Sequence, residues 1–428
     1  MSFLRSWLLL CCALGSTLAL AAAPIAPLFH AELLQDGTEL VVLSRPESAT
    51  ASLRLVVRSG SSRDPSGKEG LAHLLEHLVF QGSQDVPGKT LRASIDTAGG
   101  TLNAFTSARS TVYALDTPGT GFLPLARDVL RMVTSPTLPG GKRLERELGI
   151  ITTEGRYHFS RQSLASQVEE AMFQDITLEG ALIGTPATRA RITREDLQEY
   201  YARNYVTSNV SLVFTGAVSV EQARALVEEA YRLPPALPEE AVAPAMQSAQ
   251  YPVVQQTRAH VTFVTLGYPV PHEERATCRA VASLLQLRLL QQVHVEEPIV
   301  SAMRVLCLNL RGNDLLLAFA YTRSIEGSRL PYLMQETFDA LAKKPPSAAE
   351  RKLLEKRGQR TSERWREAGP EVADAVASQA AEPRLESLTD LGFLQPPPIP
   401  TSAQLKDFAR RHFVEEQAVR ITSSPLEG

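Results

Sequence analysis

Apolar positions along this chain recur with two different periods. Alternation marks strands, and recurrence at every third or fourth residue marks helices. Glu39 to Leu43 and Ser52 to Val57 alternate or are β-branched, and the Asp36-Gly37 turn pair stands before the first of them. From Gly70 to Phe80, Leu71, Leu74, Leu75, Leu78 and Val79 fall at helical spacing, which predicts a helix with one buried face. Further helices are expected at Leu123–Val133, Gly141–Arg156, Arg161–Phe173 and Glu195–Tyr201, and a strand at Phe105–Leu115. Strands and helices alternate irregularly, so the expected class is α+β, each sheet being mixed or antiparallel with helices packed on one face.

Periodicity stops between Leu233 and Tyr251, where Pro234, Pro235, Pro238 and Pro244 stand among several alanines. This reads as a linker over 233–250 between domains at 26–232 and 251–428. The proline cluster at Pro396–Pro398 reads as a loop. The two domains look related. Thr193, Leu197, Tyr200, Arg203, Tyr205 and Val206 are matched by Thr401, Leu405, Phe408, Arg411, Phe413 and Val414 at a constant offset of 208 residues. In each copy a threonine precedes a short amphipathic helix, and a strand-like stretch follows (Val210–Phe214 and Ala418–Thr422).

Composition narrows the function classes. The 428 residues are 44% hydrophobic and 21% charged, which fits neither wholesale disorder nor a multi-span membrane protein. A net charge of −3 with 44 scattered basic residues offers no footprint for nucleic acid. Residues 1–25 read as a cleavable secretory signal: Arg5, then an apolar run from Trp7 to Leu20, then an A-x-A site at Ala19, Leu20 and Ala21. The run is shorter than the roughly 20 residues of a spanning helix, an uncleaved anchor being the alternative. No small residue precedes Cys11 and Cys12, which argues against a lipoprotein. Past the signal only Cys278 and Cys307 remain, to form one disulfide or stay as two buried thiols.

The chemistry is concentrated in the string GLAHLLEHLVF. His73 and His77 are four apart on one helix face and Glu76 points to the same side, so two imidazoles can hold one zinc ion. A third ligand is then needed, with an open position for water. The segment LERELGIITTEGRY offers Glu145, Glu147 and Glu154; the last two lie seven apart, two turns along one helix face. Glu154 can serve as ligand while Glu147 orients a ligand from behind. The remaining histidines, His30, His158, His260, His272, His294 and His412, show no ligand spacing, and the charge-rich Glu350–Glu367 reads as the solvated face of a helix.

The inverted H-x-x-E-H string and the later paired glutamates resemble the pitrilysin family of zinc peptidases, which includes mitochondrial processing peptidase. The resemblance extends through RSGSSRDPSGKEGLAHLLEHLVFQGS, GGTLNAFTSARSTVYAL and ARITREDLQEYYARNYVTSNVSLVFTGAV, covering most of residues 30–235. It implies one zinc per chain held by His73, His77 and Glu154, Glu76 as general base, Glu147 behind a ligand, and Asn103 and Ala104 binding the backbone of an extended peptide. Tyr113 reads as a packing residue.

The second half resembles the family only loosely. Its Leu-Arg-Glu and Gly-Leu-Ala-Tyr strings have their nearest counterpart in LLQQVHVEEPIVSAMR, with His294 and Ser301 in place of the arginine and tyrosine. A complete metal site without that pair resembles the catalytic member of a two-subunit enzyme. The expected function is therefore an exported zinc endopeptidase of a bacterial periplasm or exterior, acting on peptides or unfolded segments with a related partner subunit or as a homodimer. The alternatives are a non-catalytic scaffold of the same family and an interaction protein with a structural zinc.

Overall fold

Along Glu39–Ser44 every residue is buried, and the alternation divides the side chains between two cores. Leu40 and Val42 enter one apolar cluster, and Val41 and Leu43 enter another. A strand of this kind must be covered on both faces of its sheet. The computed structural model describes residues 28–158, 172, 182–236, 251–259, 262–292, 302–310, 313–322, 329–381 and 399–425. The expected signal at 1–25, linker residues 237–250, the Pro396–Pro398 loop and all but Met172 of the Arg161–Phe173 helix beyond residue 158 lie outside the described residues.

The first half contains β1 (Leu28–Leu33), β2 (Glu39–Ser44), β3 (Thr50–Val57), α1 (Leu71–Val79), α2 (Gly88–Thr97), β4 (Thr101–Thr106) and β5 (Thr111–Pro118). It continues with α3 (Phe122–Thr134), α4 (Lys142–His158), α5 (Pro186–Arg189), α6 (Arg194–Asn204), β6 (Val210–Gly216) and α7 (Val220–Ala230). The second half contains β7 (Val253–Ala259), β8 (Thr262–Pro269), α8 (Arg275–Leu290), β9 (Ala302–Leu310), β10 (Asn313–Thr322), α9 (Leu330–Lys343), α10 (Ala348–Arg366), α11 (Pro370–Ala380), α12 (Ser402–His412) and β11 (Val419–Pro425). The expected strand Phe105–Leu115 is corrected to two. A turn at Ser107–Ser110, closed by the Ser107 N–H donating to the Ser110 carbonyl at 2.7 Å, ends β4 and starts β5.

The two sheets share a topology. The first has the order β1-β2-β6-β3-β5-β4 and the second β7-β11-β8-β10-β9. In each, the strand after the capped helix enters the middle of the sheet, parallel to one neighbour and antiparallel to the other. Helices α6 and α12 are both opened by a capping box, Thr193 with Asp196 and Thr401 with Gln404, as the repeated threonines predicted. In the second half, α8, α9 and α12 place Val281, Leu285, Phe338 and Phe408 on the face presented by Leu266, Leu316 and Ala318.

The opposite face of the first sheet is covered by a helix from the second half. Val372, Val376, Ala377 and Ala380 of α11 pack on Val41, Leu43, Val56, Val112 and Val213. Within this layer Arg54, 1% exposed, is bonded by the carboxylate of Asp116 at 2.8 and 3.1 Å and by Asp374 of α11 at 2.7 Å. Arg58 donates to the Ala380 carbonyl at 2.9 Å, meeting one of the unsatisfied acceptors at the end of α11. Reciprocally, Met172 packs on the second sheet with Leu315, Leu317, Val419 and Ile421. Helix α10 crosses between the halves, from Leu354 in the second core to Trp365 beside the α11 layer. Its charged residues are mostly exposed, as read for Glu350–Glu367. Cys278 of α8 and Cys307 of β9 are joined in a disulfide.

Candidate metal centre

Helix α1 is fixed at both its start and its buried face. Gly70 opens it with φ 97°, a left-handed conformation, and an added Cβ there would meet the Ile183 carbonyl oxygen at 2.3 Å. The carboxylate of Asp64 accepts from the N–H groups of Gly70 (2.7 Å), Leu71 (3.1 Å) and Ala72 (2.9 Å), so three otherwise unsatisfied donors of the first turn are met by one anion. Burial pushes the Asp64 carboxyl up, and the three N–H groups pull against that rise. Leu71, Leu74, Leu75, Leu78 and Val79 are all buried in the first core, which turns His73, Glu76 and His77 the other way.

Helix α4 faces them. It is held to the core by Ile151, and Glu147 and Glu154 lie either side of that residue on neighbouring turns. His73 Nε2 stands 3.9 Å and His77 Nε2 3.4 Å from the same atom, Oε2 of Glu154. Donors bound tetrahedrally to one zinc ion at 2.0–2.1 Å lie about 3.3–3.4 Å apart, so each imidazole nitrogen stands close to the separation from Glu154 Oε2 that a shared ion requires. The set of two imidazoles and a carboxylate leaves a fourth position open, which is the donor chemistry of a catalytic zinc site. Glu76 lies beside them: the donor atoms of His73, Glu76 and His77 are all within 4.8 Å of one another.

Glu147 meets His77 from behind, Oε2 lying 3.4 Å from Nδ1, while its Oε1 accepts from Gln81 Nε2 at 3.0 Å. A carboxylate there favours the tautomer with the proton on Nδ1, leaving Nε2 for a metal. Glu76 is buried, and burial raises its carboxyl above the ordinary value, against the Thr106 hydroxyl, which donates to Oε2 at 2.6 Å. Below it the hydroxyls of Tyr113 and Tyr205 bond each other at 2.8 Å inside the core, in keeping with the packing role read for Tyr113.

The candidate substrate residues lie on β4, which pairs on one side with β5 and forms an edge of the sheet. Asn103 is exposed and Ala104 half-buried, and the Ala104 N–H donates to the Asn103 side-chain oxygen at 2.9 Å. Their position thus suits strand addition. Asp64, Gln81 and Thr106 escaped the sequence reading because none sits at a spacing that marks a cap or a ligand. His294 and Ser301 lie outside the described residues. His30, His272 and His412 each face a carboxylate elsewhere, Glu32, Asp314 and Glu274.

Residues 40–186 match the family described as insulinase (peptidase family M16), and residues 191–354 match the M16 inactive domain. The chain belongs to peptidase family M16. The resemblance read from the H-x-x-E-H string is therefore borne out, and the second match covers part of the half that resembled the family loosely. Among M16 relatives, the beta subunit of the mitochondrial-processing peptidase of Saccharomyces cerevisiae is 28% identical over 191 residues, 44% of this chain and 41% of that subunit. A Rickettsia bellii protein described as an uncharacterized zinc protease is 24% identical over 210 residues, 48% of this chain and 49% of that protein. The chain thus matches less than half the length of these relatives. A Helicobacter pylori protease shares the fold over 93% of this chain and all of its own, with a TM-score of 0.78 at 19% identity. The periplasmic protease PqqL of Escherichia coli is matched over 94% of this chain and 48% of its own, with a TM-score of 0.70 at 18% identity. No helix among the described residues is long and apolar enough to cross a membrane.

Proposed function

We propose that this protein is an exported zinc-dependent endopeptidase that cleaves peptides or unfolded segments. The observation that carries the reading is the convergence of His73 Nε2, His77 Nε2 and Glu154 Oε2 with the buried carboxylate of Glu76 beside them. His73, His77 and Glu154 would hold the metal, and Glu147 would orient His77. A zinc ion so held would polarise the scissile carbonyl and make a water nucleophilic near neutral pH. The outer edge of β4 receives the peptide in extended form, with Asn103 and Ala104 contributing main-chain contacts. Glu76 takes the proton from the attacking water and returns it to the leaving amine.

The domain limits 26–232 and 251–428 with the linker 233–250 belong to the same proposal, as do residues 1–25 as signal and the periplasm or exterior as destination. The Cys278–Cys307 disulfide is consistent with an oxidising compartment. A related partner subunit, or a second copy, closes over the site. PqqL, covered over 48% of its length by this chain, has room for two such units in one polypeptide.

The test is cleavage of a mixed peptide library by the zinc-loaded protein and its Glu76→Gln variant, with metal content measured for both. Activity in the wild type that is lost in the variant at equal zinc supports the reading. Zinc-loaded protein that cleaves nothing, alone or with a co-purifying homologue, would assign a scaffold role instead.

A further inference from the structure

Thr106 sits where two parts of the site meet. It is the last residue of β4, and its hydroxyl donates to Oε2 of Glu76 at 2.6 Å. Along β4 the residues alternate, with Thr101, Asn103 and Phe105 exposed and Leu102, Ala104 and Thr106 half-buried. Leu102 and Ala104 pack against the first core, so the Thr106 side chain lies on the face turned towards α1.

The backbone that carries this hydroxyl is held on its far side as well. The carbonyls of Ser107 and Ala108 accept from the N–H groups of Ser61 (3.1 Å) and Ser62 (2.9 Å). Gly60 is packed so closely that an added Cβ would lie 2.0 Å from the Ser107 oxygen. Two residues beyond Ser62, Asp64 holds the first turn of α1. The end of β4 and the helix bearing Glu76 are thereby tied to one short segment, Ser61–Asp64.

A glutamate carboxylate ends three rotatable bonds and presents either oxygen, and a base must present one of them at hydrogen-bond distance from the proton it takes. A hydroxyl on a fixed strand removes that freedom, since it engages Oε2 and leaves Oε1 outside the bond. Resting on the peptidase reading above, we propose that Thr106 is a positioning residue that selects which oxygen of Glu76 acts as base. It does so from the strand on which the peptide docks, so that peptide and base are registered on one rigid element. The exposed edge of β4 binds the peptide and its half-buried face orients the base.

The test compares wild type, Thr106→Val and Thr106→Ser, zinc-loaded and in whatever assembly they purify in, on one internally quenched extended peptide. Valine keeps the shape and β-branching and removes the hydroxyl; serine restores it. The expected result is a fall in kcat of about tenfold to a hundredfold for Thr106→Val with KM unchanged, and recovery in Thr106→Ser. Two further readouts do not depend on turnover: zinc content, and affinity of the metal-free proteins for the same peptide by fluorescence anisotropy. Both are expected to be the same in all three proteins. A Thr106→Val enzyme with the wild-type kcat, a loss that falls on KM or on apo-protein affinity, or a serine variant as impaired as the valine would overturn the inference. An active wild type with an equally active Thr106→Val sinks this inference alone, whereas a wild type that cleaves nothing sinks the peptidase reading with it.

Discussion

Replacing Arg54 by Met tests how the two halves are joined. The methionine can fill the same apolar layer, but it removes every bond the guanidinium makes. Arg54 reaches Asp116 on β5, Asp374 on α11, and the carbonyls of Leu53 and Leu115 at 3.1 and 3.3 Å. Burial alone would lower its proton affinity, yet the two carboxylates more than offset that and hold it raised. Removing one member of a buried charged group costs about 3–5 kcal/mol because the remaining charges lose their partner. Here Asp116 keeps 25% and Asp374 57% of its side-chain exposure, so water can reach both and the low end applies, about 3 kcal/mol. Asp374→Ala, which removes only the more exposed partner, should cost no more than about 1 kcal/mol.

The sequence holds two tryptophans, Trp7 in the expected signal and Trp365 against the α11 layer, so emission from protein expressed without residues 1–25 reports on this contact. In urea titrations, Arg54→Met should shift the Trp365 transition to lower denaturant than the far-ultraviolet circular dichroism transition, and Asp374→Ala should shift it slightly. A loss below about 1 kcal/mol for Arg54→Met would refute the argument that this arginine clamps α11 to the first sheet.

Other perturbations separate the parts of the site and the fold. Glu147→Gln should weaken zinc affinity about tenfold to a hundredfold while Glu76→Gln leaves it unchanged, as measured by competition with a chromogenic chelator. Replacing Cys278 and Cys307 by Ser opens a loop with a sequence separation of 29 and should cost about 3–4 kcal/mol in the chain-entropy account, read as a lower urea midpoint in the second half. Burial opposes ionisation of Glu350, but hydrogen bonds from Arg288 and Ser347 carry its carboxyl down to about 2. Because the folded value lies below the ordinary 4.5, the stabilisation is full above that pH and is lost as pH falls towards 2. With Glu350 28% exposed, it amounts to about 1–2 kcal/mol, and Arg288→Met should flatten that part of the pH–stability curve in urea titrations.

The local parts of this protein could be read from the chain. His73, Glu76 and His77 share a face because helical geometry places positions three and four apart together, and the same rule sets Glu147 and Glu154 two turns apart. The capping boxes at Thr193 and Thr401 are equally local, and their offset of 208 residues foretold the repeated sheet topology. The turn at Ser107–Ser110 was hidden because it contains neither glycine nor proline, leaving an apparent single strand. Pairing over distance belonged to the tertiary structure: Thr106 with Glu76 across 30 residues, Arg54 with Asp374 across 320, Cys278 with Cys307, and α11 on the first sheet's outer face. Periodicity says that a face is buried but names no partner, because apolar burial is non-directional. Which helix covers which sheet, and so which carboxylate meets which imidazole, is decided only when the layers pack.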